Sequence, residues 1–256
     1  LNGMNMDVEE IIRQRPYLKD PLRIYERVTE FIAAVRKFSL GVTVASPDHK
    51  AYAPVFIDPV FERFSTIFEL PEGSLSPLKQ AMELGDIDFT RLPYQEVPAF
   101  SLPYPEEDLA MLLFLVSRPY FLALGEAARR DGKFRERGKC PVCEARPSLA
   151  SEDADSRRQA YCSFCGAAGD CRAAVCPICL NNEAARMHVI SVEGEDSFRI
   201  HACDACSSCV KIVQAGRLSG MTPDVADLMS LPLDVIAQKR KYARRSPNPI
   251  GMIRML

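Results

Sequence analysis

Four Cys-x-x-Cys pairs within 67 residues constrain this chain more than any other feature: Cys140-Pro-Val-Cys143, Cys162-Ser-Phe-Cys165, Cys176-Pro-Ile-Cys179 and Cys203-Asp-Ala-Cys206. Two intervening residues let the backbone turn tightly enough for both sulfurs to face one ion, and a second such turn completes a tetrahedron with metal–sulfur distances of about 2.3 Å. Four pairs therefore make two closed sites. Eighteen residues separate Cys143 from Cys162 and 23 separate Cys179 from Cys203, room enough for a hairpin between the turns. The spacing favours sequential pairing, with Cys140, Cys143, Cys162 and Cys165 in one site and Cys176, Cys179, Cys203 and Cys206 in the other. An interleaved pairing of the same turns stays open. All ten cysteines lie between Cys140 and Cys209; pairs this close suit chelation better than cross-linking, which implies a reducing compartment.

The expected cofactors are two metal ions, iron or zinc, because both accept four thiolates in one geometry. A saturated four-thiolate site leaves no position for a substrate water, so its immediate role is to staple a stretch too poor in apolar residues to fold alone. Cys171 and Cys209 are left over and read as small side chains. His188 and His201 lie in strand-like segments and read as strand or outer-sphere residues, and His49 as a loop residue. A thioredoxin-like redox pair would be a single exposed pair with a depressed thiol pKa, which four similar pairs fit poorly. With no glycine-rich phosphate loop, nucleophile–base pair or His-Glu zinc-protease motif, no catalytic residue is expected.

The rest of the chain is predicted to be helical before the cysteines and helical again after them, an α+β protein. Between Asp20 and Phe38, Leu22, Ile24, Val28, Phe31, Ile32 and Val35 recur near the helical period, and Asp20-Pro21 supplies a start signal. Ser46 to Pro59 is punctuated by prolines; Val60, Phe61, Phe64, Ile67 and Phe68 then share one face of a helix ended by Pro71. A short helix over Ser74 to Leu84 stops at Gly85, and four prolines between Leu92 and Pro105 mark an extended connector. Pro105-Glu106-Glu107-Asp108 opens an apolar helix, since acidic groups favour the positive end of a helix dipole, and Pro119 is expected to kink or split it. Six basic residues between Arg129 and Lys139 mark a boundary. The expected organisation is a helical domain over 1–136, a double four-cysteine module over 137–214, and a closing helix with a loose tail over 215–256. Within the module, Met187 to Val192 and Phe198 to His201 read as a hairpin around Glu193-Gly194-Glu195-Asp196.

A formal charge of −2 argues against bulk attraction to nucleic acid. The basic clusters at Arg129 to Lys139 and Lys239 to Arg245 carry no interleaved aromatics for base stacking and read as solvated linker and tail. The apolar stretch Leu109 to Gly125, interrupted by Ser117, Arg118 and Pro119, reads as a buried helix rather than a membrane span.

The order of motifs is similar to that of a known family. Cys140-Pro-Val-Cys143 with Pro147, Tyr161-Cys162-Ser-Phe-Cys165-Gly166, Arg172 ahead of Cys176-Pro-Ile-Cys179, and Cys203-Asp-Ala-Cys206 followed by Val210-Lys211-Ile212-Val213 resemble the formate dehydrogenase accessory proteins of the FdhE type. Asp227-Leu228 and Leu233-Asp234 resemble that family's closing helix. The resemblance covers residues 137 to 240 and implies rubredoxin-like iron or zinc sites, a cytoplasmic location, and assistance in maturing a molybdenum- or tungsten-containing formate dehydrogenase by binding its catalytic subunit. Two alternatives stand beside it: an iron–thiolate redox protein and a nucleic-acid-binding zinc ribbon.

Overall fold

The computed structural model describes residues 8–43, 56–92, 102–128 and 138–254. Helix α1 (Val8–Gln14) and a short 3-10 turn at Pro16–Leu18 lead into the long α2 (Lys19–Thr43), then α3 (Asp58–Ile67), α4 (Ser76–Leu84) and α5 (Glu106–Ala128). Helix α4 stops where expected, at Gly85, whose φ of 81° supplies the left-handed cap. The expected helices over 20–38, 60–68 and 74–84 are all present. Most of the proline-rich stretch Ser46 to Pro59 and of the connector from Leu92 to Pro105 lies outside the described residues, as do residues 129–137 of the basic boundary.

Pro119 does not split its helix: α5 runs unbroken from Glu106 to Ala128. A proline removes one backbone N–H bond, but Leu115, Val116 and Phe121 around it are buried, and the Ser117 hydroxyl donates to the carbonyl of Leu113 at 2.6 Å. Packing on both sides outweighs the lost bond. By length and composition Glu106–Ala127 could cross a membrane; here it is the central packing helix, touching α2, α3 and the first cysteine site.

Six strands follow: β1 (Leu149–Glu152), β2 (Arg158–Tyr161), β3 (Ala168–Cys171), β4 (Met187–Val192), β5 (Glu195–Cys203) and β6 (Ser208–Gln214). They form one sheet in the order β3-β2-β1-β6-β5-β4. The expected hairpin is β4–β5, paired from Met187↔Cys203 to Val192↔Glu195. The arrangement is two antiparallel three-stranded ribbons of the same plan, β1-β2-β3 and β4-β5-β6, fused where β1 runs parallel to β6. Helices α6 (Pro223–Met229), capped by Thr222 accepting from the Val225 N–H, and α7 (Leu231–Lys239) close the sheet.

Two large apolar clusters hold these parts together. One joins α2, α3, α4 and α5 to Cys140, Cys143, Cys162 and Cys165. The other sets Leu18, Leu22 and Tyr25 against the sheet residues Leu149, Phe198, Ile200 and Val213 and against α6 and α7. A smaller cluster of Ala150, Ile178, Val210 and Ile212 surrounds Cys176 and Cys203. Burial of this kind stabilises by about 25 cal/mol per Å² of apolar surface, so the helices and the first cysteine site share one hydrophobic core.

The tail corrects the expectation of a loose end. Arg244, Ser246, Asn248 and Ile250 are all buried. Asn248 accepts from the backbone N–H groups of Ile250 at 3.1 Å and Met252 at 2.9 Å, and Arg244 enters an ion cluster with Lys211, Asp227 and Asp234. In that cluster Lys211 Nζ lies 2.5 Å from Asp227 and 2.6 Å from Asp234. Arg244 lies 2.8 Å and 2.9 Å from the same two carboxylates. Two cations and two anions, their side chains no more than 5% exposed, cancel inside the protein.

Candidate metal centres

Each Cys-x-x-Cys turn is built the same way. The backbone N–H of the residue after the second cysteine donates to the carbonyl of the first cysteine in three of them: Glu144 to Cys140, Gly166 to Cys162 and Leu180 to Cys176, at 2.8 to 2.9 Å. In all four turns that residue has a positive φ: Glu144 at 55°, Gly166 at 67°, Leu180 at 64° and Ser207 at 50°. Only one is a glycine. Left-handed backbone costs other residues roughly 1–2 kcal/mol, a strain that something in the site must offset.

The topology then pairs the turns. Cys162 and Cys165 occupy the β2–β3 connection, Cys203 ends β5 and Cys206 lies in the turn to β6, while Cys140/Cys143 and Cys176/Cys179 precede the first strand of each ribbon. The result is sequential: Cys140, Cys143, Cys162 and Cys165 gather in one group and Cys176, Cys179, Cys203 and Cys206 in another, with sulfurs within 4.8 Å of one another in each. The interleaved alternative is not what the fold brings together. In the first group Cys140–Cys165 and Cys143–Cys162 sulfurs lie 3.4 Å apart; in the second Cys176–Cys206 and Cys179–Cys203 lie 3.8 Å apart. A tetrahedron with arms of about 2.3 Å has edges of about 3.8 Å, so both groups could hold a metal ion.

Electrostatics point the same way. Burial pushes the Cys162 thiol above its ordinary range, and hydrogen bonding with Cys140 pushes Cys143 up. Bonds from Cys143, then Cys162 and Cys165, hold Cys140 far below it. Cys140 takes the charge, and a cation is what would let Cys143 and Cys162 ionise beside it. In the second group burial likewise raises Cys176 and Cys206.

The two groups sit differently. The first lies under α5, its cysteines each no more than 3% exposed, with Phe164 edge-on to Phe114 and Phe121 at 4.8 and 5.6 Å. Gly125 makes this close approach possible, because a Cβ there would lie 2.0 Å from the Cys165 carbonyl oxygen. Gly125→Ala is expected to lower stability by about 2–3 kcal/mol through forced displacement of α5, seen as a melting temperature some 5–10 °C lower. Gly216→Ala, where nothing lies within 4 Å of the added carbon, is the matched control and should melt like the parent.

Arg146 ties the groups to each other, donating to the carbonyls of Gly138 at 2.8 Å and Ile178 at 2.7 Å. Gly138, with φ of 59°, lets the two turns touch: a Cβ there would lie 2.5 Å from the Ile178 carbonyl oxygen. A cleft of about 200 Å³ between α2, α5 and the start of α6 reaches the first group at Ser163 and Gly166. Arg118, buried in its floor, donates to the carbonyls of Ser163 at 2.9 Å and Pro249 at 3.1 Å and to Asp224 at 2.5 Å.

The remaining candidates fall outside the groups. Cys171 is half-buried at the end of β3 and Cys209 buried in β6, their thiols pushed up to about 11 and about 12, chiefly by burial. His201 lies with its ring nitrogens 2.9 Å from the Arg158 guanidinium; burial and the charges of Arg158 and Arg199 push it down to about 4, so it is neutral. His188 pairs with Asp204 at 2.7 Å. Of the basic cluster Lys239 to Arg245, Arg244 is spent on the buried ions and Arg245 on Ser208 and the Cys206 carbonyl. Arg118, Arg146 and Lys211 escaped sequence reading, because their partners lie far away in the chain.

Three comparisons bear on this arrangement. Residues 161–250 match the family model described as FdhE, C-terminal domain. A protein FdhE homolog of Aquifex aeolicus is 25% identical over 150 residues, 56% of this chain and 53% of that protein; one of Rhizobium meliloti is 26% identical over 156 residues, covering 58% and 51%. Protein FdhE of Escherichia coli O1:K1 is 26% identical over 129 residues, covering 49% and 40%. The match thus spans about half the length of these curated relatives. The crystal structure of the FdhE protein from Pseudomonas aeruginosa superposes with a TM-score of 0.54 over 89% of this chain and 94% of that chain, at 17% identity, a likeness of fold.

Proposed function

We propose, from a chain whose residues 161–250 match the FdhE C-terminal-domain model, that it is an FdhE-type, non-catalytic accessory protein binding the catalytic subunit of a molybdenum- or tungsten-containing formate dehydrogenase during maturation. The observation that carries this reading is the pair of all-thiolate groups. Four sulfurs saturate a tetrahedral ion and leave no position for a substrate, so such centres shape a surface rather than turn over. On this reading Cys140, Cys143, Cys162 and Cys165 hold one iron or zinc ion and Cys176, Cys179, Cys203 and Cys206 the other, in the cytoplasm, where thiols stay reduced. Iron would add one-electron chemistry to the same donors and zinc would not. The helical part, the double ribbon and the closing helices then act as one rigid body against the partner, because their cores are shared.

The test is a tagged chain recovered from cells that make formate dehydrogenase. The catalytic subunit is expected to co-purify, and deletion of the gene to depress formate dehydrogenase activity. Absence of the subunit together with unchanged activity would sink the reading.

A further inference from the structure

The two cysteine groups are unequal in a way their shared spacing conceals. In the first, all four cysteines are buried beneath α5 and its aromatic neighbours. In the second, Cys176 and Cys203 are buried, Cys206 is half-buried and Cys179 is exposed. Cys179 follows β3 on an exposed turn, beside Leu180, itself 38% exposed. The Cys179 sulfur accepts from the backbone N–H of Asn181 and Cys176 from that of Ile178. These bonds would keep the turn in shape if one sulfur left the ion.

We propose that the second centre is an exchange site, at which an external thiolate, such as a cysteine side chain of another protein, takes the place of Cys179. This rests on the reading that both groups carry ions. In the exchange a bond forms between the incoming sulfur and the ion, and the Cys179 Sγ–ion bond breaks. The released thiolate takes a proton from solvent, and no oxidation state changes. Both events need open space on the outer side of the ion, for the approach of the new sulfur and for hydration of the departing one. Cys179, the one exposed residue among the eight, provides most of it. At the first centre any departing thiolate would remain inside the apolar cluster, where an unpaired charge is costly, so release there waits on opening of the core. The chain thus carries one fixed ion and one that can be presented to, shared with or handed to a partner's thiolate.

The experiment uses the full chain loaded with zinc. Elemental analysis comes first: two ions per chain are expected, and none would overturn the reading of the groups as metal centres. The loaded protein is then challenged with dimercaptosuccinate. One ion per chain should leave in a fast phase whose rate rises linearly with dithiol concentration, and the second about 100-fold more slowly or beyond, because it needs a core unit to open. Brief iodoacetamide treatment followed by peptide mapping should label Cys179 before any other ligand. Cys179→Ser should retain one ion, melt cooperatively and lack the fast phase. Two ions leaving at one rate, a fast phase independent of dithiol concentration, or labelling of Cys140 or Cys162 as early as Cys179 would each overturn the proposal while leaving the metal centres standing.

Discussion

Cys140→Ser is expected to remove one metal ion from the chain and, with it, most of the protein's stability. Cys140 sits in the apolar cluster that also holds Phe31, Phe64, Phe114 and Phe121, so the ion it would bind is held by the same packing that holds the helices. Binding of a structural zinc contributes roughly 10–16 kcal/mol to the fold of a small zinc domain. Set against a net stability of about 5–15 kcal/mol, the loss of a contribution of that size removes most or all of what holds the chain folded. Cys176→Ser should also lose one ion, yet its cluster is small and borders the exposed Cys179, so the loss should stay nearer the second turn. Elemental analysis with thermal melting separates the two: one ion remaining in each, a collapsed or absent transition for Cys140→Ser, and a lowered but cooperative one for Cys176→Ser. Equal melting of the two variants would refute the unequal placement of the sites.

Asp227→Asn should cost about 3–5 kcal/mol, the penalty for leaving a buried charge without its partner. The substitution leaves Lys211 and Arg244 facing Asp234 alone in a space where none of the four side chains is more than 5% exposed. Because Arg244 belongs to the tail, the break should free residues 243–252 as well as lower the melting temperature, by about 10 °C. Amide exchange along the tail is the direct readout. Acid should act on the same cluster. Burial works to raise the Asp227 carboxyl, but Arg244 and Lys211 outweigh it and hold the carboxyl below its ordinary range. A carboxyl lowered on folding contributes its stability in full above about pH 4, its unfolded value, and loses it as pH falls through the folded value. The parent should therefore lose stability below about pH 4, and Asp227→Asn should lack that part of the acid loss. Parallel acid titrations of the two would overturn this account of the cluster.

The metal groups were legible because ligand spacing is a local property: two residues between thiols specify a turn whatever surrounds it. The long helices were legible for the same reason, as the apolar rhythm of Leu22, Val28, Phe31, Ile32 and Val35 sets a buried face within a few turns. The first ribbon was not. Its strands are four residues each and include Ser151, Gln159, Gly169 and Asp170, which carry no alternating apolar signal; the ladder and the cysteine turns make them strands. The tail was hidden differently. Arg244 and Arg245 look like solvent-seeking charge, and only Asp227 and Asp234, brought together on α6 and α7, make burial of Arg244 favourable. The split that Pro119 suggested does not occur, because a helix-breaking rule counts one lost hydrogen bond and cannot count the packing that outweighs it.

The parallel pairing of β1 with β6 also sets a clock. Leu149 pairs with Lys211, 62 residues later in the sequence. At translation rates of about 5–20 residues per second, that partner strand is made some 3–12 s after β1. Through that interval the inner edge of the first ribbon is an open β-edge beside fresh thiols, a template for mispairing. Early capture of an ion by Cys140, Cys143, Cys162 and Cys165 would protect those thiols before the second ribbon arrives to cover the edge. Metal supply during synthesis, rather than afterwards, should then set the yield of correctly folded protein.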